Sequence, residues 1–506
     1  MEVLQFKPAR RSIAYWIAAT LVAAFYLVTS VYIASQRLLW IDEIFTVLIA
    51  RLPGWGTICK VLAEGADAMP PTYYMVVRSF DHLFGQFGRT EVAVRMPSAL
   101  AVTAGLVVTF DCARRLTDGL HGLIALSLLT CSFLPYYGYE ARSYGLYFML
   151  AALSLWIWTQ TRGDSRSAAV LFGAVLFLCI AVHYFAVLCL VPYAVWEILN
   201  WKPWRLPSPK MMGGLLGVLC AAAVLWGPIQ AARRMVPPGF WAKPSPYSFR
   251  LAFPVLFPDG LSLIALVMAW IALVGREDRI IPLAPMPSGE RVGWFFLLIP
   301  LAGYFLGQIT HVFMVRYFIG TLPGVAVAFS CWLWRCFRER RPVAVGVLLL
   351  LATVGLARQA LLARHPDRGD TTPTSQMLSL EDTLRNEGKQ FILVSVQTLY
   401  LEARQYSKHP EEYRLLVFPD KDPMITGTRA VGQYYPLQFW TIEDLRKHAR
   451  QTALIAPFPS PVDPFNQIPL RFQGTLDALR HAGLRITIRF SIASRFAERL
   501  EVVYLE

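Results

Sequence analysis

Two adjacent carboxylates, Asp42 and Glu43, are the strongest candidates for acid–base chemistry in the sequence. They follow a stretch without charge, residues 12–36, and stand among apolar residues in the segment LWIDEIF. A carboxylate that loses part of its hydration at such a place can act as a general base. The alternative is an interfacial tryptophan followed by two solvated acids at a helix end.

Two arginines stand at the borders of apolar stretches, Arg142 in the segment YEARSYG and Arg316 in the segment RYFIG. A guanidinium group can bind a phosphate through two parallel hydrogen bonds. A fixed arginine near a bilayer costs free energy, which favours a functional role for Arg142, and Arg316 is a second arginine at the outer boundary. For Arg142 the alternatives are a side chain that reaches the headgroups and a pair with Glu140.

Further polar residues accompany these segments and complete the set of candidate binding residues: Glu140, His183, Tyr73, Tyr74, Arg233, Arg234 and Tyr317. The alternative for His183, which interrupts an apolar run, is an ordinary structural histidine. The alternative for the Arg233-Arg234 pair is a proline-rich loop solvated by headgroups. The tyrosines after the Pro70-Pro71 pair are also typical of an aromatic belt on a short interfacial helix.

The elements that must position these residues are membrane helices. Of the 506 residues, 55% are hydrophobic and only 16% are charged, too few charges to cover several soluble cores. The stretch 167–200 is too long for one helix across a hydrocarbon core of about 30 Å, so we predict two short helices that turn at His183. The other nine predicted spans are 12–36, 96–110, 120–137, 143–161, 211–230, 260–275, 292–310, 317–334 and 342–357.

The charge distribution predicts which side of the membrane each segment faces. The chain has 48 Lys+Arg and 34 Asp+Glu, a net charge of +14, and its basic residues lie between the spans. We interpret these basic residues as topology signals that face anionic lipid headgroups, and not as a nucleic-acid-binding surface. With eleven spans, every dense basic cluster between spans except Arg233-Arg234 lies inside. We therefore predict a cytoplasmic N-terminus, an outside first loop at 37–95 and an outside tail.

The last third of the chain, residues 365–506, has the charge density of a soluble domain. Short β-type runs such as 391–396 and 452–455 alternate with helical patterns, which predicts a small α/β domain. The eight cysteines form no disulfide framework and no metal-type spacing. The predicted fold class is thus a polytopic α-helical membrane protein, with a membrane domain at 1–360 and a soluble C-terminal α/β domain.

Six short motifs, in this order and on the same predicted side, resemble the GT-C glycosyltransferase superfamily. They are Asp42-Glu43, Pro-Pro-x-Tyr-Tyr at 70–74, Arg-Met-Pro-Ser-Ala from Arg95, Glu140-Ala-Arg142, His183-Tyr-Phe and Arg316-Tyr-Phe. The likeness covers residues 12 to about 340. It is greatest to the bacterial branch related to protein O-mannosyltransferases, lipid A aminoarabinose transferases and rhizobial galacturonosyltransferases.

The resemblance implies an enzyme of the bacterial inner membrane that moves a sugar from a polyprenyl-phosphate carrier to an acceptor hydroxyl on the outer face, with inversion. It implies that Asp42 is the catalytic base with Glu43 beside it, and that Arg316 and Arg142 bind the carrier phosphate. The expected partners are membrane lipids, the lipid-linked donor and a glycan, lipid or protein acceptor, with no nucleic acid. No cofactor follows from it with certainty, because only some members of the superfamily need a divalent metal.

One position departs from the pattern of these families, because Met69 stands where they usually place a histidine or lysine before the Pro-Pro pair. If that cation helps to hold the phosphate, another residue must replace it here. A transporter or flippase of lipid-linked sugars is the alternative function. Such proteins often contain internal repeats and broken spans in matching halves, and the sequence has neither. The sequence leaves open which sugar, acceptor and carrier length are used, and the oligomeric state.

Overall fold

A computed structural model of the chain describes residues 13–86, 88–161, 165–201, 206–234, 242–259, 264, 286–337, 340–366, 372–417, 423–458, 474–492 and 499–506. The chain divides into two compact units. The first, which we call the membrane unit, comprises Met1–Ser35 and Met69–Arg364. The second, which we call the tail unit, comprises Gln36–Ala68 and His365–Glu506.

The helices of the described residues are, in chain order, α1 (Ile13–Gln36), α2 (Ile41–Ala50), α3 (Trp55–Ala63), α4 (Pro71–Phe84), α5 (Thr90–Leu116), α6 (Gly119–Thr130), α7 (Tyr144–Gln160), α8 (Arg166–Val182), α9 (Val191–Leu199), α10 (Pro209–Val224), α11 (Trp226–Arg234), α12 (Pro246–Leu256), α13 (Ser288–Phe295), α14 (Leu298–Thr310), α15 (Thr321–Phe337), α16 (Arg341–Arg364), α17 (Thr372–Ser379), α18 (Glu381–Asn386), α19 (Gln397–Tyr406), α20 (Pro423–Gly432), α21 (Ile442–Lys447) and α22 (Gly474–His481). The strands are β1 (Phe391–Val394), β2 (Tyr413–Leu416), β3 (Phe439–Trp440), β4 (Thr452–Phe458), β5 (Ile486–Ile492) and β6 (Arg499–Leu505).

Apolar helices make up the membrane unit, as the sequence predicts. Within the described ranges, four helical stretches are long and apolar enough to cross a membrane: Ile13–Gln36, Thr90–Leu116, Ser288–Thr310 and Arg341–Arg364. The pair α10 and α11 passes the same criterion together but bends by 66° at its break. Shorter apolar helices of 10–17 residues accompany them, namely Gly119–Thr130, Arg166–Val182, Tyr184–Leu199 and Thr321–Phe337.

Ten of the eleven predicted spans therefore coincide with helical segments. This number includes the span 143–161, which corresponds to α7. The predicted span 260–275 lies outside the described residues, apart from residue 264. The predicted break at His183 is confirmed, because α8 ends at Val182 and His183 has an extended backbone. A 3₁₀ helix, Tyr184–Leu190, then leads into α9. The total of eleven spans remains a prediction.

Glycines allow α8 and α10 of the membrane unit to pack closely against each other. A Cβ atom added at Gly213 or Gly217 would collide with the backbone of α8, at the carbonyls of Ala169 and Gly173 respectively. Small residues four positions apart on both helices allow this approach, which is typical of membrane helix pairs that lack a hydrophobic driving force in lipid. The pair supports the segment that carries His183.

We expect Gly217→Leu to lower the stability of the protein, because the new side chain meets backbone that cannot move aside. Overpacking of this kind costs about 1–3 kcal/mol. The measurement is the thermal unfolding temperature of the purified protein in detergent. Gly346→Leu is the matched control, since an added Cβ at that glycine of α16 meets no atom within 4 Å. Equal unfolding temperatures for the two variants would contradict the tight packing of α8 on α10.

The tail unit contains a six-stranded sheet of order β3-β2-β1-β4-β6-β5. The strands β3, β2, β1 and β4 are parallel, whereas β6 runs antiparallel to both β4 and β5. A hydrophobic core that includes Leu393, Leu454 and Val503 packs on the sheet. This confirms the predicted small C-terminal α/β fold. The short strand β3 was not predicted, because a two-residue strand has no visible alternation.

The tail unit also contains α2 and α3, which come from the first loop of the sequence. Residues 36–68 therefore fold with the sheet domain more than 300 positions later in the chain. Residues 37–95 are predicted as one outside loop, whereas the structure assigns the second part of this segment, from Met69, to the membrane unit. The candidate acids Asp42 and Glu43 thus belong to the tail unit.

Candidate functional site

In the membrane unit, an aromatic cluster surrounds His183. The histidine ring lies 5.4 Å from the ring of Tyr144, 5.3 Å from Tyr147 and 4.9 Å from Tyr317, measured between centroids. Phe185 completes the cluster at 4.9 Å from Tyr317. His183 is 1% exposed. Residues from three distant parts of the chain thus meet around the histidine at the break after α8.

Local structure explains how these rings converge. Tyr144 and Tyr147 are three residues apart at the start of α7, so they lie on the same face of that helix. Tyr317 belongs to a 3₁₀ turn, Val315–Phe318, that precedes α15. Gly320 allows this turn to approach α7, since an added Cβ there would lie 2.6 Å from the hydroxyl of Tyr147.

Arg316 lies at the edge of this cluster. Its guanidinium carbon is 5.8 Å from the centroid of the Tyr144 ring, a cation–π distance. Its Nη2 atom is 3.5 Å from the sulfur of Met314. The side chain is only half-buried, whereas Tyr144 is fully buried. A guanidinium held over an aromatic ring in a partly exposed residue has the planar donor geometry that suits a phosphate.

A second connected group joins α4, α5 and the start of α7. Ser98 Oγ donates a hydrogen bond to the carbonyl of Arg142 at 2.9 Å and lies 3.0 Å from the hydroxyl of Tyr73. Tyr74 packs edge-on against Tyr73 with 6.4 Å between their ring centroids. Gly145 permits the approach of α7, because its added Cβ would lie 2.8 Å from the carbonyl of Ser98. The candidates Tyr73, Tyr74 and Arg142 therefore share one buried region.

The segment 140–142 is buried with both of its charges. Glu140 is 2% exposed and Arg142 is 5% exposed. Charged residues this deep in an apolar protein are costly and often functional. Met69, where the resemblance predicts a cation, accepts a hydrogen bond from Ser143 Oγ at 3.9 Å. Met69, which stands where the related families have a cation, is thus in contact with Ser143, the neighbour of Arg142 in the chain.

Arg233 and Arg234 differ from the other candidates. Both side chains are exposed at the end of α11, and neither makes a hydrogen bond or ion pair with another described residue. The structure does not bring them into the ring contacts or hydrogen bonds of the groups around His183 and Ser98. Their part in binding remains a prediction.

In the tail unit, the acid pair occupies the first turn of α2. The carboxylate of Glu43 accepts a hydrogen bond from the Trp40 backbone N–H at 3.3 Å, which caps the helix, and Glu43 is fully buried. Asp42 is half-buried, and its backbone carbonyl accepts the hydroxyl of Thr46 at 2.8 Å. The helix N-terminus favours the negative charge of both acids. Of the two carboxylates, the one at Asp42 is the more accessible to a substrate.

The candidate residues chosen from sequence omit several members of these groups, namely Tyr144, Tyr147, Ser98 and Phe185, although the last two stand within two of the six motifs. The spacing of Tyr144 and Tyr147 was a usable signal, since two tyrosines on one helix face after a buried charge indicate an aromatic surface. Ser98 stands in the motif that begins at Arg95, but its role depends on contacts with α4 and α7 that no local pattern predicts. Within the described parts, His409, Glu411 and Glu412 of the tail unit have metal-ligand spacing. Glu412 is already paired with Arg385 at 2.8 Å.

Comparison with known proteins places the fold. Residues 68–226 match the model of the dolichyl-phosphate-mannose-protein mannosyltransferase family. The chain is similar to the crystal structure of ArnT from Cupriavidus metallidurans in the apo state, with 13% identity, a TM-score of 0.60 and coverage of 97% of this chain and 98% of that chain. For ArnT bound to undecaprenyl phosphate the identity is 14%, the TM-score 0.59 and the coverage the same. No curated protein matches the chain.

The family match covers α4 to α10 with the Ser98 group and His183, and the structural similarity extends over both units in sequence. The resemblance inferred from the six motifs is therefore supported by two independent comparisons, one of sequence and one of fold. A multi-pass membrane protein with apolar helices and a small C-terminal sheet domain is the shared architecture. This chain has the fold of the GT-C glycosyltransferase superfamily.

Proposed function

We propose that this protein is an integral-membrane glycosyltransferase that moves a sugar from a polyprenyl-phosphate carrier to an acceptor hydroxyl. The transfer takes place on the outer face of the bacterial inner membrane and inverts the anomeric carbon. The acceptor is a glycan, lipid or protein of the cell envelope. The fold similarity to a protein crystallised with undecaprenyl phosphate supports the choice of a lipid-linked donor.

The observation that carries the proposal is the guanidinium of the partly exposed residue Arg316 over the ring of Tyr144, beside the cluster around His183. A phosphate bound there meets a planar, permanently charged donor that aromatic packing holds in place. The apolar helices around the cluster suit the long hydrocarbon tail of a carrier. Only the sugar and the phosphate of such a donor need a polar environment.

We assign the carrier phosphate to Arg316 and Arg142. Arg142 replaces the cation that is missing at Met69, an assignment supported by the contact between Met69 and Ser143. Glu140, His183, Tyr73, Tyr74 and Tyr317 shape the binding region around them. Arg233 and Arg234 add positive charge that attracts the anionic donor.

The chemical step is one direct displacement. Asp42 takes the proton of the acceptor hydroxyl, and the acceptor oxygen forms a bond to the anomeric carbon of the sugar. The bond from that carbon to the phosphate oxygen breaks, and polyprenyl phosphate leaves with its charge stabilised by arginine. Glu43 supports Asp42 by capping the helix that carries it.

The test is a transfer assay with purified protein in detergent, a synthetic polyprenyl-phosphate sugar and an envelope extract as the source of acceptor. We expect the labelled sugar to appear on the acceptor with the opposite anomeric configuration, measured by NMR. A transporter or flippase produces no transfer when no membrane barrier is present. Mass spectrometry of envelope lipids and glycans from a deletion strain identifies the sugar, as one lost modification and one accumulated donor. Protein that binds donor but never transfers sugar, with any extract, would contradict the proposal.

A further inference from the structure

The acid helix α2 is held at its start by the C-terminal part of the tail unit. The backbone N–H of Leu39, two residues before the helix, donates a hydrogen bond to the hydroxyl of Tyr406 at 2.7 Å. Leu39 is fully buried, and Tyr406 is the last residue of α19. An N–H group buried at a helix start needs such a partner, because it has none inside the helix.

The other end of α2 has a second contact of the same kind. The hydroxyl of Tyr435 donates a hydrogen bond to the backbone carbonyl of Leu48 at 2.7 Å. Leu48 is in the last turn, where helix carbonyls lack partners within the helix. The two tyrosines thus bond the backbone on both sides of Asp42, and neither bond depends on the side chains of residues 36–68.

A third contact fixes the end of the same loop. Gly427 of α20 lies so close to the loop that an added Cβ would be 2.7 Å from the carbonyl of Gly65 and 3.2 Å from the Cα of Ala66. Beside it, the amide of Gln433 donates to Glu64 at 3.4 Å. Residues 36–68 are therefore attached to the C-terminal residues at the start, the middle and the end.

The length of α2 explains why these contacts matter. An isolated helix of ten residues is unstable in water, so its conformation depends on what it packs against. Glu43 caps the first turn from within, but a cap does not determine where the helix lies. Its place within the tail unit is determined by α19 and by the residues after α20.

We propose that Tyr406 and Tyr435 are positioning residues for Asp42, and that the C-terminal domain serves to hold the acid helix. The inference rests on the proposed function, in which Asp42 is the base. A base misplaced by about 1 Å loses much of its effect on the rate, because proton transfer needs hydrogen-bond geometry. The domain then acts on the rate of transfer and not on the affinity for the carrier.

The experiment compares Tyr406→Phe, Tyr435→Phe and the double variant with Tyr400→Phe. The control Tyr400 is in α19 as well, and its hydroxyl accepts the N–H of Gln438 at 2.7 Å, a bond of the same type that does not touch residues 36–68. We expect each single variant to lower kcat about fivefold and the double variant about twentyfold or more, with KM for the donor unchanged. Tyr400→Phe keeps the kcat of the unmodified protein.

Hydrogen exchange of the amides of residues 43–50 gives a second readout that needs no activity. The protection of these amides should fall about fivefold in Tyr406→Phe and in Tyr435→Phe and stay unchanged in Tyr400→Phe. The unfolding temperatures of the three variants should remain similar. Equal protection and equal kcat in the three single variants would overturn the positioning role. A variant effect on KM alone would overturn it too.

A separate variant distinguishes this inference from the proposed function. If Asp42→Asn is fully active, the proposed role of Asp42 fails, whatever the tyrosine variants do. If Asp42→Asn is inactive and the tyrosine variants behave like Tyr400→Phe, the positioning role fails and the proposed function stands.

Discussion

Asp42→Asn is expected to lower the rate of sugar transfer by about 10²–10⁴-fold, the usual contribution of a general base. The amide has nearly the same size as the carboxylate and cannot accept the proton of the acceptor hydroxyl. Asp42 is half-buried and its side chain is not the cap of α2, so the substitution leaves the helix cap of Glu43 in place. The measurement is kcat with the synthetic donor in detergent.

Two variants of the same loop serve as controls for this result. Asp67→Asn removes another carboxylate from the same loop and should keep the full rate. In the unmodified protein, the side chain of Asp67 accepts a hydrogen bond from the N–H of Ala68. Glu43→Ala removes the cap and should lower the free energy of unfolding of the tail unit by about 1 kcal/mol, an effect that Asp42→Asn lacks. Folded Asp42→Asn protein with full kcat would remove Asp42 from the proposed mechanism.

Arg316→Ala is expected to lower kcat/KM for the donor by about 10²–10³-fold, as observed when one donor to a developing anion is lost. The leaving phosphate gains charge in the transition state, and Arg316 is a partly exposed residue whose guanidinium lies over the Tyr144 ring. Arg316→Lys keeps the charge but loses the planar stack and the paired hydrogen bonds. We expect its rate to lie between those of Arg316→Ala and the unmodified protein.

Arg250→Ala is the matched control, because Arg250 is an exposed arginine of α12. It should leave kcat/KM for the donor within twofold, roughly the size of a surface charge effect. Direct binding of the donor to Arg316→Ala, measured by fluorescence titration, separates loss of affinity from loss of rate. If the two alanine variants are equally active, the carrier phosphate binds elsewhere.

Much of the membrane unit is predictable from sequence because lipid imposes a simple rule on composition. Long runs without charge gave the spans, and the polar residue His183 in the run 167–200 gave the break that the structure confirms. The strands of the tail were predictable where an apolar run covers several residues, as in β1 and β4. Strand β3, with two residues, was too short for such a pattern.

The candidate site was only partly predictable. Residue types and spacing indicated Arg142, His183 and Arg316, since charge or a polar ring beside an apolar span is costly and therefore conspicuous. Their neighbours Ser98 and Tyr144 were not among the candidates, because the contacts that give them a role join segments far apart in the chain. The resemblance to a family supplied the roles, and the contacts among the rings and hydroxyls came from the structure.

By itself the sequence determined that the chain builds apolar helices, where the helix after residue 166 breaks, and that the last third forms an α/β sheet. Only the tertiary structure decided that residues 36–68 fold with that last third, through Tyr406, Tyr435 and Gly427. It also distinguished Glu43, the buried cap, from Asp42, the accessible acid. The physical reason is that hydropathy patterns involve neighbouring residues and are therefore visible in the sequence. A hydrogen bond between residues more than 300 positions apart produces no such local pattern.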